Sequence, residues 1–170
     1  VRGLLGPEDF IPLAEESGFI EQIRHRTLAE ACRQMRRWRD AGLKLDDISV
    51  NLSPRQFRRR GLLEFIRDRV EQHGLAPASI GIEITEGLLM ERSHSTEELL
   101  RRLSAMGHRI ALDDFGTGFS SMAYLKRFPV VEIKIDRLFI EGLEPDGDSE
   151  AIVAAMIAMS HALGKTVVAE

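Results

Sequence analysis

The sequence holds a single cysteine, Cys32, so no intramolecular disulfide can form, and a reducing, cytoplasmic setting is the simpler expectation. It has one Trp and one Tyr, and Trp38, which alone of the Phe, Tyr and Trp residues falls among the arginines at 24, 26, 33, 36, 37 and 39, sits on the apolar face of the helix that carries them rather than with the charges. Those arginines therefore read as the wet face of a helix rather than a phosphate-binding patch. Positive charge is not in excess: Lys plus Arg is 23 against 27 for Asp plus Glu, a net charge of -4 that excludes a dominant electrostatic footprint for DNA. Long apolar runs are missing too. The longest, residues 151–159, is too short to cross a bilayer, and the first residues show no signal-peptide pattern. No low-complexity linker divides the chain. What remains is 170 residues, 44% hydrophobic and 29% charged, enough for one core or for part of a larger domain.

Short runs rich in Ile and Val recur at 48–52, 80–85, 109–113, 131–136 and 166–170 and predict five strands. Helical spacing lies between them. Leu28, Ala31, Cys32, Met35 and Trp38 share one face before Gly42, and Leu62, Ile66 and Val70 repeat the pattern before Gly74. Ser95 with Glu98 reads as a capping box for a helix burying Leu99, Leu103 and Met106, which Gly107 ends. A shorter helix is expected from Ser120 or Ser121 to just before Pro129, and Ser149 is a candidate cap for a last helix ended by Gly164. Strict alternation implies parallel strands joined by right-handed crossovers, which suits either an open doubly wound sheet or a β/α (TIM-type) barrel.

The ends of the strands favour the barrel. Ile82 and Ile84 point one way, so Glu83 points the other; Asn51 and Lys134 stand likewise between branched neighbours. Asn51, Glu83, Asp113, Lys134 and Glu170 should then converge at the carboxyl ends of five parallel strands, inside a barrel. Four carboxylates there (Glu83, Asp113, Asp114 and Glu170) need neutralising. All-oxygen ligands suit a hard divalent cation such as Mg²⁺, Mn²⁺ or Ca²⁺, whereas the five scattered histidines lack zinc-ligand spacing. The pair Asp113-Asp114 could bridge two cations for in-line attack on a phosphate ester, with Lys134 orienting water or stabilising phosphoryl oxygens.

Two acidic residues carry an equally good structural reading. Asp136 could cap a following helix, and Glu86 could hold a neighbouring loop by accepting backbone hydrogen bonds. The segment Phe115-Gly116-Thr117-Gly118 offers backbone N–H groups that could cover a phosphate, although a tight turn gives the same pattern. Asp114-Phe115-Gly116 also matches a kinase metal motif, but no Gly-rich ATP loop or catalytic loop precedes it.

Phe10-Ile11-Pro12-Leu13-Ala14-Glu15-Glu16, Val50-Asn51-Leu52-Ser53, Glu83-Ile84-Thr85-Glu86, Ala111-Leu112-Asp113-Asp114-Phe115-Gly116-Thr117-Gly118, Lys134-Ile135-Asp136-Arg137 and Val167-Val168-Ala169-Glu170 resemble, in order, the motifs of the EAL domain. The resemblance implies a β/α barrel that hydrolyses cyclic di-GMP to linear pGpG with Mg²⁺ or Mn²⁺, one or two ions. It implies that Asn51, Glu83, Asp113 and Asp114 are metal ligands and that Lys134 contacts the nucleophilic water. Glu170 would be a ligand or general base, and Glu86 would steady residues 113–121, through which such domains often dimerise. The Glu-Ala-Leu triplet itself is absent; its place would be just before Val1, and further family motifs would follow Glu170. Residues 1–170 therefore read as a partial domain supplying about five strand–helix units, with little activity expected of it alone. Its parent would carry GGDEF or sensory domains and could be membrane-anchored through them. The alternatives are a catalytically silent cyclic di-GMP receptor and a protein-interaction module.

Overall fold

The computed structural model describes residues 5–90, 94–118, 122–141, 143–144 and 147–170. Two helices come first, α1 (Pro7–Ser17) and α2 (Ile20–Asp40), separated by Gly18 in the left-handed conformation at φ 76°. On α2 the predicted face is buried through Leu28, Ala31, Cys32 and Met35. Arg26, Arg33, Arg36, Arg37 and Arg39 are exposed on its other side. Two of them pair within the helix, Arg33 with Glu30 and Arg36 with Asp40, as solvated i,i+3 and i,i+4 neighbours do.

Then strands and helices alternate: β1 (Ile48–Asn51), α3 (Pro54–Phe57), α4 (Leu62–Gln72), β2 (Ile80–Thr85), α5 (Glu86–Met90), α6 (His94–Met106), β3 (Ile110–Phe115), α7 (Met122–Arg127), β4 (Glu132–Ile135), α8 (Arg137–Ile140), α9 (Asp148–Ala162) and β5 (Thr166–Ala169). Two expected caps move. Because α6 already begins at His94, Ser95 lies inside its first turn; α9 begins at Asp148 behind Gly147, which leaves Ser149 in the helix. Ser120 and Ser121 lie outside the described residues, and α7 stops before Pro129 as expected.

All four strand pairings are parallel and the order is β1-β2-β3-β4-β5, the sequential neighbour pattern of a β/α barrel wall. One face is packed by helices: Ile82, Ile84, Ile110, Leu112, Ile133 and Ile135 are all no more than 1% exposed. Removing each such side chain from water stabilises the fold by about 2 kcal/mol. The opposite face carries the intervening residues, among them Ser49, Asn51, Glu83, Asp113 and Lys134. Small residues, Gly81 and Ala111, lie behind the polar ones on that face.

One irregularity bears directly on the polar face. Leu112 pairs with Ile133 and Phe115 with Ile135, so β3 holds one residue more than β4 over this interval. That is a bulge, and Asp114 within it has φ 55°. Among the described residues it is the one non-glycine with positive φ, a conformation that Asp tolerates better than most side chains.

Candidate functional site

The carboxyl ends of the strands bring the five predicted groups together. Asn51 and Glu83 are in register on β1 and β2, and Asn51 Nδ2 donates to Glu83 Oε2 at 3.1 Å. Glu83 is in register with Ala111, so Asp113 stands two residues further along β3, the stagger of strands tilted in a barrel wall. Lys134, on β4, closes the set. Its Nζ lies 3.4 Å from Glu83 Oε2, 3.0 Å from Asp113 Oδ1 and 2.5 Å from Glu170 Oε1. One ammonium thus touches carboxylates from three other parts of the sheet, with its own side chain only 14% exposed.

The electrostatics follow from crowding and partial burial. Burial works against the Lys134 charge, but Glu170, Asp113 and Glu83 more than offset it, so its pKa rises above the ordinary lysine value. Glu83 is shifted up, first by burial and then by Asp113, although Lys134 and Ser49 pull it down. Asp114 is also shifted up, by burial and by the neighbouring carboxylates of Asp113, Asp136 and Glu170. Ionising all of these groups together is costly without more positive charge than one lysine supplies.

Asp113, Asp114 and Glu170 can present carboxylate oxygens within 4.8 Å of one another, a spacing that could hold a metal ion. Asp113 Oδ1 is fully buried and, apart from the Lys134 ammonium, has no hydrogen-bond partner among the described residues. An oxygen-only donor set that includes a buried carboxylate oxygen, partnered among the described residues by the Lys134 ammonium alone, fits a hard divalent cation. The bulge explains how two successive carboxylates serve one site. In a regular strand Asp113 and Asp114 would face opposite sides of the sheet; the extra residue and the left-handed φ turn Asp114 back.

Beyond the bulge, Glu86 resolves its two readings. It is 4% exposed at the start of α5, and its Oε2 accepts from Gly116 N at 3.1 Å and Gly118 N at 3.3 Å. Both amides therefore point at Glu86 rather than at an open phosphate site. Thr117, between them, is exposed and donates its hydroxyl to the Asp114 carbonyl at 2.9 Å. Phe115 corrects the expectation that the whole 115–118 segment lines a substrate site. It ends β3, is 4% exposed and packs in the helix-side core. Asp136 caps α8, its Oδ1 accepting from Leu138 N at 2.7 Å, while its charge still acts on Asp114. The sequence reading missed Ser49, whose hydroxyl acts on Glu83 from the neighbouring strand; its place two residues before Asn51, on the same face, was the available signal.

Comparison with known proteins points the same way. The EAL domain family matches residues 1–170. The bifunctional diguanylate cyclase/cyclic di-GMP phosphodiesterase MucR of Pseudomonas aeruginosa is 47% identical over 169 residues, 99% of this chain and 25% of that protein. The cyclic di-GMP phosphodiesterase PdeR of Escherichia coli is 35% identical over 169 residues, again 99% of this chain and 25% of that protein. The chain thus spans about a quarter of the length of these relatives. A solved structure of the MucR phosphodiesterase in complex with c-di-GMP superposes with a TM-score of 0.93 at 46% identity, covering 99% of this chain and 68% of that one.

Proposed function

The chain belongs to the EAL domain family, and from that premise we propose that it forms the catalytic part of a phosphodiesterase that opens cyclic di-GMP to linear pGpG. The observation that carries this reading is the convergence of Glu83, Asp113 and Glu170 on Lys134 at one end of the sheet, with Asn51 donating to Glu83. A silent receptor would dispense with one or more of these groups, yet every one is present.

Asn51, Glu83, Asp113, Asp114 and Glu170 would hold one or two divalent cations, Mg²⁺ or Mn²⁺. The ions supply charge neutralisation at the phosphodiester and a more acidic water. The protein's own residues do the rest. Lys134, kept protonated by its carboxylate neighbours, donates to the attacking water or to a phosphoryl oxygen without giving up its proton. Glu170, 2.5 Å from that ammonium and the most exposed of its three partners, is placed to take the proton the water loses. In the net step water forms a new P–O bond, one P–O bond to ribose breaks, and the departing ribose oxygen gains a proton. Glu86 keeps the 116–118 turn fixed while this happens.

The 113–121 segment is our candidate for contact with a second copy. Cys32, buried and with its thiol pushed up to about 11 by burial, stays reduced and inert in a cytoplasmic setting. Among the described residues no helix is long and apolar enough to cross a membrane. We further propose that GGDEF or sensory domains accompany this one in a longer protein, and that regulation comes through them.

The test is hydrolysis of cyclic di-GMP in Mn²⁺ by the full-length protein carrying this chain, with pGpG followed by chromatography. Release of pGpG by wild type and its loss in Glu83→Ala support the reading. Tight binding of cyclic di-GMP with no pGpG formed would replace it with the receptor.

A further inference from the structure

We propose that Phe139 and Met156 are positioning residues for the Asp113–Asp114 carboxylates, acting through Gly116. The inference rests on the metal-site reading above and extends it to two apolar side chains outside the acidic cluster.

Gly116 has φ 104°, and a Cβ built there would stand 2.6 Å from Met156 Cε, 2.6 Å from Phe139 Cε2 and 3.0 Å from Phe139 Cζ. Real Cβ atoms do not approach other atoms so closely, so these two side chains already occupy the space any larger residue would need. They close against the chain two residues after Asp114. On its hydrogen-bonding side the same turn is held by Glu86, through the amides of Gly116 and Gly118. The turn is thus gripped twice, by a carboxylate from α5 and by apolar atoms from α8 and α9.

The grip matters because of what precedes it. Asp114 sits in the bulge with φ 55°, a conformation that persists only where its surroundings over-determine it. The bulge is pinned behind by the Leu112–Ile133 pair and ahead by the Phe115–Ile135 pair and the Gly116 turn. If the turn slackens, Asp114 can relax toward extended backbone, which would carry its carboxylate away from Asp113 and Glu170. Phe139 is itself well placed to transmit position. It lies on α8, whose start is fixed by the Asp136 cap and by Asp136 N donating to Phe115 O at 3.4 Å. Octahedral cations tolerate little displacement of their oxygen ligands. Groups hydrogen-bonded directly to metal ligands are worth roughly 10- to 100-fold in metal affinity, and contacts that act through the backbone belong at the low end of that range.

The experiment measures thermal unfolding of the full-length protein against Mn²⁺ concentration, with no substrate present, for wild type, Phe139→Ala, Phe139→Leu, Met156→Ala and Leu138→Ala. Phe139→Ala should move the half-saturating Mn²⁺ concentration up by about tenfold. Met156→Ala should move it in the same direction, and Phe139→Leu should restore most of the loss. Leu138, 69% exposed on the same short helix, serves as the control and should leave the midpoint in place. A Phe139→Ala protein that melts lower yet keeps the wild-type Mn²⁺ midpoint overturns this inference and leaves the metal site standing. A wild-type protein that shows no response to Mn²⁺ takes down the metal-site reading and this inference with it. If Phe139→Ala fails to fold, the Met156→Ala midpoint decides alone, since an unchanged value there contradicts the proposed grip.

Discussion

Replacing Glu86 with Ala should open the turn after the bulge without unfolding the sheet. Glu86 is 4% exposed and its Oε2 receives two backbone donors, Gly116 N at 3.1 Å and Gly118 N at 3.3 Å. A hydrogen bond to a charged group contributes about 1.5–3 kcal/mol, and the longer of these two belongs at the low end. Losing both should cost about 3 kcal/mol of local stability, equivalent to roughly a hundredfold rise in the open population. Glu86→Gln keeps the shape and can present its carbonyl oxygen at the Oε2 position, so both bonds survive without charge, and the cost should fall to about 1 kcal/mol. The assay is amide hydrogen exchange at Gly116 and Gly118, compared with amides of β2 as an internal reference. The expected order of protection is wild type, then Gln, then Ala. Equal protection of the two glycine amides in wild type and Glu86→Ala would refute the reasoning, because the turn would then be held by something other than this carboxylate.

Asp113→Ala should abolish both the Mn²⁺-induced rise in melting temperature and cyclic di-GMP turnover; calorimetry and the pGpG assay check this, and normal turnover at limiting metal contradicts it. Glu83 and Asp114 have folded pKa values above their ordinary 4.5 and 3.8, so their contribution to stability is present below those values and is lost as pH rises through the shifted ones. The metal-free melting temperature of wild type should accordingly fall relative to that of Asp114→Asn as pH rises from about 4, and Mn²⁺ should cancel that difference in slope. Asp114→Asn removes one of those charges and suits the left-handed backbone, so it should stabilise the metal-free protein by up to about 1 kcal/mol while weakening Mn²⁺ binding, as read by calorimetry. Gly118→Ala would set a Cβ 2.8 Å from Glu86 Oε1, and its exchange profile should mimic that of Glu86→Ala. His108, buried with Nδ1 donating to Ile80 O at 2.9 Å, has its pKa lowered by burial, so stability should decline as pH falls below its ordinary 6.5. That decline should be absent in His108→Asn, which keeps a donor where Nδ1 stands.

The convergence of Asn51, Glu83 and Lys134 was legible because it depends only on a period of two and on parallel strands. Each lies between branched residues that the helices bury, and the polar group has nowhere to point but the other face. Asp114 shows where that logic stops. Alternation alone sends it away from Asp113, and the bulge that brings it back depends on register with β4, which no local pattern records. Phe115 failed for the same reason in reverse: its neighbours read as a loop, but pairing with Ile135 makes it the last core residue of β3. The caps at Ser95 and Ser149 were off because α6 and α9 begin one residue before them, at His94 and Asp148, and local sequence fixes helix ends only to within a residue or two. Met156 was legible as an apolar position of the last helix, but the contact of Phe139 and Met156 with Gly116 carried no sequence signal, since it joins segments far apart in the chain.

The strands lie in the sheet in the order in which they are synthesised, and each delivers its polar group in turn. Asn51 meets Glu83 across 32 residues, but Lys134 reaches Glu83 only across 51. A chain that has docked β1, β2 and β3 therefore holds Glu83 and Asp113 side by side with no cation from the protein between them. Their repulsion makes that half-built sheet an unfavourable resting state, and the arrival of β4 removes the repulsion in one step. The same lysine proposed to serve the chemistry would act during folding as a latch, penalising partial sheets and making the last strands join cooperatively.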